Sequence, residues 1–133
     1  MTRVWLALGG NLGDRAAYLA AARERLGRHG IALVRASTVQ ETEPVGVRAQ
    51  PAFLNQVLEV ETELEPLPLL ATIKRLEVEV GRQQRQRWGP REIDIDILRY
   101  DDRRVDEPGL AIPHPELPNR PFLQTLLDEI SSR

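Results

Sequence analysis

Isoleucine and aspartate alternate from Ile93 to Ile97. Successive side chains of a β-strand point to opposite faces, so this alternation predicts a strand with one apolar face and one carboxylate face. The isoleucines should lie in the core. Asp94 and Asp96 should share the other face, with their Cα atoms about 6.5–7 Å apart. Aspartate is a poor strand residue and neighbouring carboxylates repel each other. Either this face meets water, or a positive group lies there.

Hydrophobic periodicity divides the chain into strands and helices in the order βαββαβ, followed by further C-terminal segments. The strands are predicted at 3–10, 31–44, 53–64 and 93–100, the helices at 15–30 and 65–82, a short returning segment at 104–113 and a terminal helix within 119–133. The first strand is apolar nearly throughout, which predicts burial on both faces, whereas the third alternates and should be half-exposed. Asp14 is the predicted N-cap of the first helix. This order predicts an α+β fold, a ferredoxin-like βαββαβ sandwich with added C-terminal segments.

Composition excludes several classes of function. A length of 133 residues predicts a single domain over 1–133, and a net charge of −2 argues against a nucleic-acid-binding field. The absence of cysteine excludes a disulfide framework, a thiolate metal site and a cysteine nucleophile. No apolar run is long enough for a membrane span or a signal peptide, so we expect a cytoplasmic protein. We also expect a monomer.

Residues 82–91, RQQRQRWGPR, carry four arginines and no acidic residue, although the protein is acidic overall. Guanidinium groups bind phosphate in a bidentate manner, and paired carboxylates bind Mg²⁺. The arginine segment beside Asp94 and Asp96 therefore predicts a polyphosphate site with metal. Trp88 followed by Gly89 and Pro90 is typical of a lid that excludes water. A solvated basic loop is the alternative interpretation.

Other polar residues add weaker signals. The segment GGNLGD fits neither dinucleotide-binding nor P-loop patterns, and Lys74, the one lysine, lies within a predicted helix, so a Walker-type site is excluded. Any nucleotide chemistry should then use arginines and acids. His114 and Arg120 lie among prolines, where a lone histidine means little. Phe53 and Asn55 share a strand face, and a ring with an amide can hold a flat heterocycle.

Four segments of the chain form a characteristic series: ALGGNLGD, TEPVGVRAQPAFLN, EVGRQQRQRWGPREIDIDIL and IPHPELPNRPF. In their order and spacing they resemble the motifs of the 6-hydroxymethyl-7,8-dihydropterin pyrophosphokinase family. The resemblance covers nearly the whole chain. It implies a ferredoxin-like fold and a folate-pathway enzyme that transfers pyrophosphate from ATP to the hydroxymethyl group of 6-hydroxymethyl-7,8-dihydropterin, releasing AMP.

The resemblance also implies roles for individual residues. Asp94 and Asp96 would bind two Mg²⁺ ions and, with Arg82 and Arg91, form the catalytic set. The residues expected at ATP, the co-substrate, are Arg82, Arg85, Trp88, Arg91, Ile97, His114 and Arg120. The residues expected at the pterin are Thr42, Val45, Phe53, Asn55 and Phe122, with the two phenylalanines on either side of the ring. Asn11 and Glu77 match family positions that line the site.

The sequence departs from the family pattern in three places. Phe53 stands where a tyrosine is also familiar, so stacking is kept while a hydroxyl contact is lost. The segment before Trp88 is one residue shorter than in some relatives, which leaves Gln84 and Arg85 as candidates for one arginine position; Arg85 is favoured because it is charged. The tail from Phe122 lacks the Pro-Leu step of the family and stops sooner.

Two other functions fit parts of the pattern. A nucleotidyl transferase could use the same aspartates to transfer the α-phosphoryl group. A non-catalytic ferredoxin-like module could bind RNA through its sheet, but this needs exposed aromatic residues and a positive field. Aromatic residues make up 5% of the chain and the net charge is −2, which disfavours RNA binding.

Overall fold

The computed structural model describes residues 1–44, 49–83 and 89–131. The elements in chain order are β1 (Thr2–Gly10), α1 (Arg15–Arg28), β2 (Ile31–Ala36), β3 (Gln40–Thr42), β4 (Phe53–Thr62), α2 (Pro66–Val80), β5 (Asp94–Tyr100), β6 (Val105–Glu107), β7 (Leu110–Ile112), a 3₁₀ turn (Leu117–Asn119) and α3 (Pro121–Ser131). The fold is therefore α+β. None of the helices in these ranges is both long and apolar enough to cross a membrane.

One antiparallel sheet forms the centre of the molecule. Its strand order is β2-β4-β1-β5, and β3 pairs with β4 beyond the end of β2. β6 and β7 form a separate hairpin, which is the short returning segment that the sequence predicted. The order places β1 in the interior of the sheet, between β4 and β5.

Helices cover both faces of the sheet, so β1 is buried on both sides, as its apolar sequence predicted. One core contains side chains from β1, β4, β5, α1 and α2, including Leu6, Leu19 and Ile73. The other contains Ala7 and side chains of β4, β5 and α3. The predicted apolar stripe of α3 is buried there: Leu123, Leu126, Leu127 and Ile130. Burial of each large apolar side chain stabilises the fold by about 1.5–3 kcal/mol.

Local signals explain where the helices begin and end. Asp14 caps α1, since its carboxylate accepts a hydrogen bond from Ala17 N at 3.1 Å. Gly30 follows α1 with φ of +79°, a conformation that favours glycine. α2 begins at Pro66, where a missing N–H costs nothing, and Gly81 ends it.

The structure corrects two details of the predicted strands. The single strand predicted at 31–44 is two strands, because Ser37 to Val39 put an extra residue into the pairing with β4. β4 is buried on both faces rather than half-exposed. α3 packs over its polar face, where the buried carboxylate of Glu59 pairs with Arg3 and Arg35.

Candidate active site

Asp94 and Asp96 lie on β5 with their side chains away from the core, as the alternation predicted. Ile93, Ile95 and Ile97 are buried in the core beneath α1 and α2, whereas both aspartates are half-buried. On the neighbouring strand, Asp94 pairs with Gly9, which has no side chain to cover it. The carboxylate face of β5 therefore opens into a pocket.

Two arginines approach Asp94 from the segment that the sequence singled out. Arg82 Nη1 lies 2.8 Å from Asp94 Oδ1, and Arg91 Nε lies 3.4 Å from Asp94 Oδ2. Arg91 Nε is buried, and no hydrogen-bond partner for it is present among the described residues. A buried guanidinium donor without a hydrogen bond is costly, and an anionic oxygen in the pocket would satisfy it.

Glu77, at the end of α2, supports this arrangement from beneath. It is 2% exposed, and its Oε2 accepts a hydrogen bond from Ile95 N at 2.7 Å. Its Oε1 lies 3.3 Å from Arg82 Nη1 and 3.4 Å from Lys74 Nζ. Burial raises the pKa of Glu77, while Lys74, the Ile95 amide and Arg82 act in the opposite direction. Glu77 thus fixes the β5 backbone between the two aspartates and also faces Arg82.

The charges of Asp94 and Asp96 lie close enough together to favour binding of a cation. Burial raises the pKa of Asp96, and the charge of Asp94 raises it further, whereas His114, Lys74 and Arg91 lower it. In the described ranges, no cluster of three or more acidic or histidine side chains could hold a metal alone. Mg²⁺ commonly binds one or two protein carboxylates and completes its shell with phosphates and water. The two aspartates fit that donor set.

The other end of the same pocket carries aromatic and amide groups. Asn55 Nδ2 donates to Thr42 Oγ1 at 2.7 Å and to Gln40 O at 3.2 Å, which fixes the orientation of the amide. Phe53 lies on the same strand face, and the Arg91 guanidinium lies over its ring, 4.8 Å from the centroid. Arg91 therefore contacts both the aromatic end and the carboxylate end of the pocket.

Comparison with known proteins identifies the family. Residues 5–132 match the model of the 7,8-dihydro-6-hydroxymethylpterin-pyrophosphokinase family. The chain belongs to this family. The 2-amino-4-hydroxy-6-hydroxymethyldihydropteridine pyrophosphokinase of Aquifex aeolicus is 46% identical over 130 residues, which are 98% of this chain and 81% of that protein. The protein of the same name from Bacillus subtilis is 39% identical over 95% of this chain and 76% of its own length. The folate synthesis bifunctional protein, mitochondrial, of Pisum sativum is 39% identical over 96% of this chain, which corresponds to 25% of that protein.

Membership of the pyrophosphokinase family makes the protein an enzyme, an ATP-dependent pyrophosphokinase. Its pocket brings together half of the residues that the sequence predicted at the two substrates and both aspartates predicted for metal. The lining includes Thr42, Phe53, Asn55, Arg91, Asp94, Asp96, Arg120 and Phe122. A second cleft shares Asp96 with the first and is lined by Ile97 and His114, both predicted at ATP. Arg82 reaches the site through its ion pair with Asp94.

Three predicted site residues of this pyrophosphokinase, Val45, Arg85 and Trp88, lie outside the described residues. The choice between Gln84 and Arg85 lies outside them as well. All of these stay predictions.

Sequence reasoning gave no role to Lys74, which lines the second cleft with Asp96 and His114. One signal for it was present in the sequence. Lys74 lies three residues before Glu77, and that spacing places two side chains on one face of a helix. The sequence also gave no role to Gly9. Gly9 matters because it has no side chain, which leaves space beside Asn55.

Proposed function

We propose that this enzyme transfers pyrophosphate from ATP to the hydroxymethyl group of 6-hydroxymethyl-7,8-dihydropterin in folate biosynthesis, giving AMP and the pterin diphosphate. The observation that carries the proposal is the position of Arg91. Its guanidinium lies over the Phe53 ring and beside the Asp94 carboxylate, so one pocket joins a heterocycle site to a phosphate and metal site. Family membership supports the same reaction.

The aromatic end of the pocket suits a pterin. Phe53 and Phe122 both line the pocket, and a flat heterocycle gains stacking energy between such rings. The Asn55 amide is held by Thr42, so it can read the hydrogen-bonding edge of the pterin without first losing rotational freedom. These contacts would direct the hydroxymethyl group toward the aspartates.

The other end of the pocket suits the triphosphate. Asp94 and Asp96 would hold two Mg²⁺ ions, which when bound neutralise phosphate charge and activate the β-phosphorus for attack. The pterin hydroxyl oxygen forms a bond to that phosphorus, the bond from the α,β-bridging oxygen to it breaks, AMP leaves, and the hydroxyl proton passes to solvent. Arg91 and Arg82 orient and neutralise the phosphates, and Arg120, Ile97 and His114 position the nucleotide. Little covalent chemistry by the protein is needed, because positioning and charge neutralisation supply the rate enhancement.

We further propose that the fold is ferredoxin-like. The strand order β2-β4-β1-β5, with α1 and α2 contributing to one core, supports this assignment, and the β6–β7 hairpin and α3 would then be the added C-terminal segments. A single domain over 1–133, a monomeric state and a cytoplasmic location remain our predictions.

Product analysis tests the proposed reaction. The enzyme is mixed with Mg²⁺, ATP and 6-hydroxymethyl-7,8-dihydropterin, and the products are followed by ³¹P NMR. We expect AMP and a pterin diphosphate in equal amounts. Release of pyrophosphate with a nucleotide-linked pterin would indicate a nucleotidyl transferase instead, and ADP as the sole nucleotide product would indicate transfer of one phosphoryl group; either result overturns the proposal.

A further inference from the structure

Tyr18 lies in the first turn of α1, outside the linings of the pocket and of the second cleft, and its ring fills the space between two glycines. A Cβ built on Gly13 would lie 3.0 Å from Tyr18 Cε2, and one built on Gly81 would lie 3.2 Å from Tyr18 Cε1. Both distances are shorter than an ordinary carbon–carbon contact of about 3.5–4.0 Å. The two edges of the ring therefore pack against the turn before α1 on one side and the end of α2 on the other.

Gly81 is the residue at which the chain leaves α2 and enters the arginine segment. Its N–H donates to Val78 O at 3.1 Å, and the next N–H, of Arg82, donates to Glu77 O at 2.9 Å. Helix ends fray, and glycine has the widest backbone freedom of any residue, so these bonds alone leave several directions open to the chain. The Tyr18 ring occupies the space on one side of Gly81 and thereby excludes some of these directions.

The direction of the chain at Gly81 decides where the Arg82 guanidinium lies. Arg82 Nη1 is 2.8 Å from Asp94 Oδ1, and the two side chains are 32% and 24% exposed. Glu77 Oε1 lies farther from the same nitrogen, at 3.3 Å. A partly exposed ion pair contributes less free energy than an arginine side chain loses in rotamer freedom when it is fixed. The pair with Asp94 therefore does not order Arg82 by itself, and a backbone already held in one direction lowers the cost of ordering it.

We propose that Tyr18 is a positioning residue for Arg82, because its ring fixes Gly81 and so directs the Arg82 guanidinium toward the phosphates of ATP. The inference rests on the proposed function, in which Arg82 orients and neutralises those phosphates. Tyr18 lies outside the pocket lining and would act through Arg82 rather than on a substrate. A shift of about 1 Å in a group that positions substrate can reduce the rate about a hundredfold, so a partial loss of order should cost about tenfold.

A double-mutant cycle between Tyr18 and Arg82 tests this role. AMP formation is measured at saturating Mg²⁺, ATP and 6-hydroxymethyl-7,8-dihydropterin, which gives kcat. Tyr18→Leu keeps apolar volume but removes the ring, and it should lower kcat about tenfold in the wild-type background. In the Arg82→Ala background the same change should leave kcat unaltered, because the group that Tyr18 positions is absent.

Further variants separate the ring contacts from general stability. Tyr18→Phe keeps both ring edges and should have the wild-type kcat. Trp5→Leu is the matched control, because it also removes a half-buried aromatic ring, but one that lines a separate cleft with Arg3 and Arg35, and its kcat should be unchanged. Tyr18→Met, whose unbranched side chain favours a helix, replaces Tyr18→Leu in the cycle if the leucine variant does not fold.

The outcomes distinguish this inference from the proposed function. If the wild-type enzyme forms no AMP from these substrates, the proposed function fails, and the inference fails with it. If the wild type is active but Tyr18→Leu retains its kcat, or lowers kcat by the same factor in both backgrounds, Tyr18 does not act through Arg82 and the inference is wrong. A tenfold loss in Tyr18→Phe would also overturn it, because that variant keeps the ring.

Discussion

Gly10 is a position where a single added methyl group should disturb the site through the backbone. A Cβ added to Gly10 would lie 2.2 Å from Glu92 O and 3.0 Å from Glu92 C. Carbon–oxygen contacts are normally about 3.3–3.6 Å, so the backbone around Glu92 would have to move by about 1 Å. Overpacking of this kind costs about 1–3 kcal/mol, and backbone cannot rotate away as a side chain can. The two Asn11–Arg91 hydrogen bonds join the same segments and would be stretched.

We therefore expect Gly10→Ala to lower the free energy of unfolding by about 3 kcal/mol, at the upper end of that range. For a domain of this size, such a loss corresponds to a Tm decrease of about 10 °C. Urea and thermal unfolding followed by circular dichroism measure both quantities.

Gly27→Ala is the matched control for the same chemical change. Gly27 lies in the last turn of α1, and a Cβ added there would have no neighbour within 4 Å apart from its adjacent residues and the backbone of its own helix. Alanine is the better helix former, so this variant should gain up to about 1 kcal/mol. If Gly10→Ala were as stable as the wild type, the close approach of β1 to Glu92 would not be a constraint, and the explanation of how Arg91 is positioned would be wrong.

Two further predictions concern the pterin end and the C-terminal helix. Phe122→Leu keeps apolar volume but removes the flat ring, so the pterin Kd should rise about tenfold while the nucleotide Kd stays unchanged; equal changes in both, measured by calorimetry, would contradict the stacking role. Hydrogen bonds from Thr38 N and Thr38 Oγ1, both 2.8 Å long, lower the pKa of Glu129. Its contribution to stability is thus fully present above the ordinary pKa of 4.5 and is lost as pH falls through the lowered value. Glu129→Gln should therefore have a lower Tm than the wild type at pH 7, and the two Tm values should approach each other in acid. A difference in Tm that does not change with pH would show that the ionised Glu129 carboxylate does not contribute to stability.

The sequence predicted those features that depend on how apolar residues repeat along a single strand or helix. The two-residue alternation around Asp94 placed its carboxylate outside the core, and the helical stripe from Leu123 to Ile130 located the buried face of α3. Each pattern depends only on the geometry of one strand or one helix, so neighbouring residues suffice to predict it.

The features that it did not predict depend on contacts between distant segments. β4 seemed half-exposed because nothing in its own residues shows that α3 will cover Glu59. The contact of Glu77 with Ile95 N joins α2 to β5, and Lys74 reaches the second cleft only because that helix packs there. Asn11 is polar and follows a strand, which is an ordinary turn pattern, and its partners become evident only in the folded chain.

The central claim is that the two aspartates of β5 bind the metal ions. The number of metal ions that the protein binds together with nucleotide tests it. Mn²⁺ can stand in for Mg²⁺ on oxygen ligands and is counted by electron paramagnetic resonance. With α,β-methylene ATP, we expect two Mn²⁺ per wild-type chain and per Asp106→Asn chain, since Asp106 lies exposed on β6. Asp94→Asn and Asp96→Asn should each bind fewer, with an unchanged circular dichroism spectrum and turnover reduced by orders of magnitude. Two Mn²⁺ and near-normal turnover in both of these variants would contradict the claim.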